Sequence, residues 1–344
     1  MRYFITVLII LHAFLIGCSQ SSNNENYIDY GTLPEIEVTV HSEINESEHF
    51  IPGRLRDLIV TNDGSLIVSD WGSMLIVQFG SDGSFERILA EEGQGPGELQ
   101  TFFSLIDSKR DTLLIKFSGM SGQIDVFVRD ETERSFFYDY SLTTEIAKNR
   151  RVNVTEPAPG FGYFAKFEDL DQISRNEIFD PPAHRFETLG IIDISGEILM
   201  DSLHVLQIPN TVYIEAESGA VTPLGAPPFL GRDYQKSLAN DEYFIAKPLD
   251  GTIQVFDQNH DIRDEIILHV QERPVLNSDL NNELKNIPEQ FQQKLRERVP
   301  ATKPVFIDVW ASKENFLLHT DNSEQGKEMV LLTRNGEPVG KFFF

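Results

Sequence analysis

The chain has 344 residues, 40% of them hydrophobic and 10% aromatic, with 54 acidic side chains against 29 basic ones and a formal charge of −25. That apolar content supports a large packed core and excludes a disordered chain, while the acidic balance sets the protein against nucleic acid and anionic lipid head groups and leaves cations, basic peptides and neutral glycans as partners. A lone cysteine excludes a disulfide scaffold, so stability must come from packing among groups such as its 25 Phe.

At the N-terminus Arg2 precedes an apolar run from Phe4 to Ile16 that ends in Leu15-Ile16-Gly17-Cys18. The run is too short to span a bilayer as a mature helix, and small Gly17 stands before the cut site, so the segment reads as a lipoprotein signal. Residues 1–17 are then removed, and Cys18 becomes the lipidated first residue. Two or more acyl chains, at about 0.8 kcal/mol per buried CH₂, hold a domain at a membrane surface without a transmembrane helix. A cleaved secretory peptide whose cysteine falls there by chance is the alternative. Ser19, in place of Asp, favours an outer-membrane lipoprotein, facing the periplasm or the cell surface. The Ser/Asn/Gln-rich stretch that follows makes residues 18–33 a flexible tether, and 34–344 the folded domain.

From residue 55 onward the sequence reads as short strands in fours. The first quartet is Arg56–Val60, Leu66–Ser69, Met74–Phe79 and Phe85–Ala90; the second is Phe103–Ile106, Leu113–Lys116, Ile124–Val128 and Ser135–Tyr140. Val152–Val154, Phe161–Lys166, Thr188–Ile194 and Glu197–Ser202 form the third, with a polar insertion between the middle strands. The fourth runs Tyr234–Leu238, Tyr243–Lys247, Thr252–Asp257 and Ile262–Val270, and the fifth runs Val305–Trp310, Phe316–His319, Met329–Thr333 and Val339–Phe343. Asp82-Gly83, Ser195-Gly196 and Asn335-Gly336 fill the same slot before the last strand of a quartet, where a two-residue hairpin needs φ > 0. In the fourth quartet Asp257-Gln258-Asn259-His260-Asp261 takes that place. It looks like the start of a calcium loop, but Ile262 stands where the turn glycine belongs and Leu268 where the bidentate Glu belongs.

Four-stranded meanders repeating every 40 to 50 residues or so indicate a β-propeller, because each blade has two apolar faces that only neighbouring blades can cover. With Glu35–Val40 and Leu203–Ile214 as loose strands, and the chain ending in apolar Phe342-Phe343-Phe344, the preferred count is six blades, closed by pairing the two ends of the domain. Five blades or an incomplete ring is the alternative.

Between the first two quartets lies Glu92-Gly93-Gln94-Gly95-Pro96-Gly97-Glu98-Leu99. It is superficially like a phosphate-binding loop, yet no Lys-Ser/Thr follows and no helix opens after it. Gly93, Gln94, Gly95, Pro96, Gly97 and Glu98 therefore read either as a crossover from one blade to the next or as a ligand-contacting loop.

The strand Leu66-Ile67-Val68-Ser69-Asp70 after Asp63-Gly64, then Val77-Gln78-Phe79-Gly80-Ser81-Asp82-Gly83, then Gly93-Gln94-Gly95-Pro96-Gly97-Glu98, resembles the six-bladed β-propeller lipoproteins of the NHL/TolB-like group, abundant in Bacteroidota. The resemblance is close over 54–100 and loose over 50–344. It implies six blades and a lipid anchor, and it assigns Asp70 to the acidic position ending the second strand, where the plain role is to accept from local backbone donors.

A helical interruption spans 278–299. Leu280, Leu284, Ile287, Phe291, Leu295 and Val299 form one stripe, Ser278 is the expected N-cap, and Pro288 must split the segment into two short helices. It reads as a bracket on its own blade edge, with a lid or a docking surface as the sharper alternatives.

Catalytic patterns are scarce. The histidines (His12, His41, His49, His184, His204, His260, His269, His319) form no H-x-H or H-E-x-x-H pair, and there is no G-x-S-x-G elbow. Related six-bladed propellers include calcium-dependent lactonases and metal-dependent lyases, but Asp57, Asp107 and Asp308 fall out of register across the quartets and make no carboxylate ring. Trp71 and Trp310 could stack on sugars or pack in the core. Two functions are therefore expected: a non-catalytic binding or scaffold propeller, held to the membrane by its lipid and recognising a peptide, glycan or envelope protein without a cofactor; or, as the alternative, a hydrolase or lyase using calcium or zinc in the propeller channel.

Overall fold

In a computed structural model the described residues are 27–344, apart from 45, 62, 101–102, 108–111, 118–122, 131, 144–149, 161, 170–181, 194, 216–220, 239–240 and 324. Cys18 and the signal segment lie outside them. The chain divides into two compact units: one takes in Val38–Phe167 and Gly190–Asp201, the other the described part of 16–37, Glu168–Leu189 and Ser202–Phe344.

The fold is an all-β, five-bladed propeller of four-stranded antiparallel sheets. Sheet one runs β1 (Leu55–Val60), β2 (Leu66–Asp70), β3 (Leu75–Phe79) and β4 (Phe85–Glu91); sheet two runs β5 (Phe103–Asp107), β6 (Thr112–Phe117), β7 (Gln123–Asp130) and β8 (Ser135–Thr143). Sheet three contains β9 (Arg150–Pro157), β10 (Tyr163–Asp169), β11 (His184–Ile192) and β12 (Ile198–Pro209). A two-stranded hairpin follows, β13 (Val212–Glu215) with β14 (Val221–Gly225). Sheet four is β15 (Tyr234–Ser237), β16 (Tyr243–Lys247), β17 (Thr252–Phe256) and β18 (Ile262–Ile267), and sheet five is β19 (Asp308–Ala311), β20 (Asn315–Ser323), β21 (Gly326–Thr333) and β22 (Pro338–Phe343).

The sixth blade preferred from the sequence does not form among the described residues. Glu35 makes one parallel bridge to Lys341, closed by Ile36 N–H to the Lys341 carbonyl (2.8 Å) and Lys341 N–H to the Pro34 carbonyl (2.9 Å). Leu203–Pro209 prolongs β12, and Val212–Ile214 starts the extra hairpin. Within 27–33, Tyr30 is 2% exposed in the core of the second unit, beside partly buried Ile28 and Leu33. Three apolar side chains in six residues give this stretch enough burial to offset its ordering entropy.

The two-faced character of the sheets is what the quartets required. All five residues of β2 are buried, whereas β18 exposes five of its six. Ile67 and Ile76 of sheet one pack with Leu105, Leu113 and Phe127 of sheet two, while Leu114 and Val126 on that sheet's other face meet Val154, Ala165 and Ile192. In the second unit Phe244 and Val255 pack with Phe316 and Leu332. Ile44 and Phe50, from the segment before β1, cover the remaining face of sheet one.

The recurrent hairpins carry three loop residues and not two. At 80–84, Gly80 N–H donates to the Ser84 carbonyl (2.8 Å) and Gly83 N–H to the Gly80 carbonyl (2.9 Å), a tight turn followed by one left-handed residue. The pattern repeats at 61–65, 193–197, 257–261 and 333–337. Gly64, Gly83, Gly196 and Gly336 hold φ of 84–86°, and His260 holds the equivalent place at 68°.

The helices are α1 (Asn277–Leu284) and α2 (Glu289–Arg296). Pro288 stands at the N-cap of α2, as its missing N–H requires, but the cap of α1 is Leu276, not Ser278. Asp279 reaches back to accept from Leu276 N–H (2.8 Å), which places the cap of α1 ahead of the serine, at Leu276. Leu284 and Leu295 are buried against Val212, with Leu224 and Ile287 beside them, so the helices cover the β13–β14 hairpin.

Candidate functional site

The glycine-rich crossover is closed by its own carboxylate. Glu98 Oε2 accepts from Gly95 N–H at 2.6 Å, and a Cβ on Gly93 would stand 1.9 Å from that oxygen. Leu99 N–H donates to the Glu91 carbonyl (2.8 Å) and Gly93 N–H to the Leu99 carbonyl (3.1 Å). The N–H groups of Gly93, Gly95, Glu98 and Leu99 are thus satisfied within the loop and its flanking strand.

The other sequence candidates are used locally. Asp57 accepts from the Ser69 hydroxyl (3.0 Å) and from Leu105 N–H (3.1 Å), so its carboxylate ties β1 to β5. The Asp107 side chain lies outside the described residues. Asp308 accepts from Val309 N–H (2.8 Å), and burial pushes its carboxyl up, against the pull of Lys236 and His319. Asp257 spends Oδ1 on the N–H groups of Asn259 (2.8 Å) and Asp261 (3.0 Å), which makes the calcium-like loop a self-capped turn. Among the described residues no group of three or more His, Cys, Asp or Glu side chains could hold a metal ion. Nor is any helix there long and apolar enough to cross a membrane. Trp71 donates its indole N–H to the Phe103 carbonyl (2.7 Å), and Trp310 is 43% exposed.

A cavity that the sequence did not anticipate lies in the second unit. About 290 Å³ in volume, it is lined by Phe186, Val205 and Gln207 on β11 and β12, by Asp233 just before β15, and by Lys247, Leu249 and Asp250 at the end of β16. Gln207 N–H donates to Asp233 Oδ2 (2.8 Å), and Asp233 N–H returns a bond to the Gln207 carbonyl (2.8 Å), so β12 fixes the carboxylate at the wall. Burial pushes the Asp233 carboxyl up and Asp250 adds to that, while the Gln207 N–H and Lys247 oppose them. The Lys247 ammonium forms no hydrogen bond or ion pair with another described residue. Around these charges Phe186 (69% exposed), Val205 (58%) and Leu249 (42%) turn apolar surface to solvent.

Beside this cavity, one residue along β12, His204 accepts or donates through Nε2 to the Tyr243 hydroxyl (2.8 Å) and lies 4.6 Å from the Phe256 ring, which in turn stacks on Tyr243 at 4.9 Å. Burial, with His260 and Lys247 nearby, lowers the His204 pKa to about 4, so the ring is neutral at physiological pH. Nothing local in the sequence marks this site, because its residues come from four separate stretches between 186 and 250 that only the fold brings together.

No protein-family model matches the chain, and no curated protein matches it. Among solved structures it is similar to a protein of Bacteroides fragilis assigned as exported, with 11% identity, a TM-score of 0.46, and coverage of 88% of this chain and 74% of the other. A member of the DUF4221 family from Bacteroides vulgatus gives 11% identity and a TM-score of 0.44, over 88% of this chain and 83% of that one. Virginiamycin B lyase from Staphylococcus aureus gives 10% identity and 0.36, over 85% of each chain.

Proposed function

We propose that this protein is a non-catalytic recognition propeller, held at the outer membrane through lipidated Cys18, and that its cavity in the second unit takes a short segment of a partner protein of the cell envelope. The observation that carries the reading is that the Lys247 ammonium lines the same cavity as the Asp233 and Asp250 carboxylates, together with exposed Phe186, Val205 and Leu249. A volume of about 290 Å³ stands at the lower end of small-molecule sites, which suits one anchoring side chain and its flanking amides. A peptide can meet both charge signs and the apolar rim at once.

A photo-crosslinking residue at Val205, with Ile262 (55% exposed) as the control position, tests this in cells. The expected result is a discrete protein adduct from position 205 that disappears with Phe186→Ala and Lys247→Met. Adducts equal at both positions, or an adduct that is glycan alone, would overturn it. Loss of membrane retention in Cys18→Ala checks the anchor separately.

A further inference from the structure

We infer that Arg54, Arg56 and Trp71, in the first unit, form an oxyanion-binding platform for a ligand carrying a carboxylate or phosphate group. The two guanidinium carbons lie 5.5 and 4.8 Å from the centre of the Trp71 ring, and both arginine side chains are exposed. Neither guanidinium makes a hydrogen bond or ion pair with another described residue. In a chain of net charge −25, two adjacent cations left without an acidic partner are out of keeping with the rest of the surface.

The acids of the same two strands are already engaged. Asp70, fully buried at the end of β2, accepts from Gly53 N–H (2.6 Å), Arg54 N–H (2.6 Å) and Gly72 N–H (2.7 Å). Burial alone would push its carboxyl up; those N–H groups outweigh it and leave it lowered. Asp57 is spent on Ser69 and Leu105.

The same contacts fix the platform before any ligand arrives. Trp71 N–H donates to the Arg54 carbonyl (2.9 Å), and its indole N–H is held by Phe103. A Cβ on Gly72 would stand 2.6 Å from the Arg54 nitrogen, so only glycine lets the two backbones meet. The β1–β2 ladder slips by one residue between Leu55 and Leu58, a bulge that re-aims side chains, and Arg56 sits in it. Two guanidinium forks held within 5.5 Å of one indole ring offer N–H donors suited to capture of an oxyanion, and with a screening length of about 8 Å at physiological salt the distant acidic surface does little to oppose it.

Trp71 reports on its own site. In the full chain carrying Trp310→Phe, its emission is followed while citrate or inorganic phosphate is added at constant ionic strength, with chloride as the control. A saturable change with either anion, weakened about tenfold or more in Arg56→Gln and in Arg54→Gln, is expected; which anion saturates tells carboxylate from phosphate. Circular dichroism of each variant shows that the exposed substitutions leave the fold intact. A response no different from chloride, or one unchanged in both arginine variants, overturns the assignment.

Discussion

Two regions treat buried polar groups in opposite ways. In the first unit, at the β1–β2 junction and in the 92–99 crossover, carboxylates are surrounded by backbone N–H groups: Asp70 accepts three, and Glu98 closes on Gly95. In the second unit, around the cavity and the aromatic cluster beside it, burial dominates. It pushes Asp233 up and His204 down, and, on β19 in the same unit, Asp308 up, each toward its neutral form. The first arrangement locks charge into the backbone and makes rigid supports; the second leaves polar groups under-partnered at a surface a ligand can reach.

The largest expected effect is on the first region. Asp70→Ala orphans three N–H donors beside a buried position and should cost about 3–5 kcal/mol in urea unfolding, since each bond to a charged group contributes about 1.5–3 kcal/mol. A cost below about 1 kcal/mol would show that the amides do not hold that carboxylate.

Next comes the acid limb of stability in the second region. His204 is lowered to about 4 when folded against 6.5 when unfolded, so the unfolded chain binds the extra proton and stability drains away as pH falls from 6.5 toward 4. Discounted for its partial exposure, the contribution is up to about 2 kcal/mol. Asp233 and Asp308, raised by burial, work in the other direction, so the test is the difference between wild type and His204→Phe at each pH. The variant should lose less stability on acidification; parallel curves would count against a neutral buried ring.

Smaller is the crossover. Glu98→Ala should cost about 1 kcal/mol, the ordinary worth of one hydrogen bond. Gly93→Ala should cost a similar amount because the group it meets, Glu98 Oε2, can swing aside. The double variant should cost hardly more than either single one, since both remove the same contact; additive losses would break the account of a self-closed loop. Smallest is Lys247→Met, expected to change stability by less than about 1 kcal/mol while abolishing capture at position 205.

Much of this fold was legible in the sequence. Apolar runs gave all five quartets, and the family resemblance assigned Asp70 to the acidic position ending the second strand, with backbone donors to accept from. The blade count was not, since Glu35–Val40 has strand-like residues yet forms only one bridge, and β12 absorbs part of the other loose stretch. His260 escaped because a left-handed histidine has no composition signal; its φ of 68° is imposed by a hairpin whose other copies use glycine. The cavity was invisible for a different reason. Phe186, Gln207, Asp233 and Lys247 carry no local motif and meet only through strand pairing.

The contrast between the two regions is tested most directly by a carboxyl carbon-13 titration of the full chain with Asp70 and Asp233 assigned. Asp70 should titrate below the ordinary aspartate range and Asp233 above it. Coincident titration of the two, or the reverse order, would contradict the division between a charge-locked support and an under-partnered binding wall.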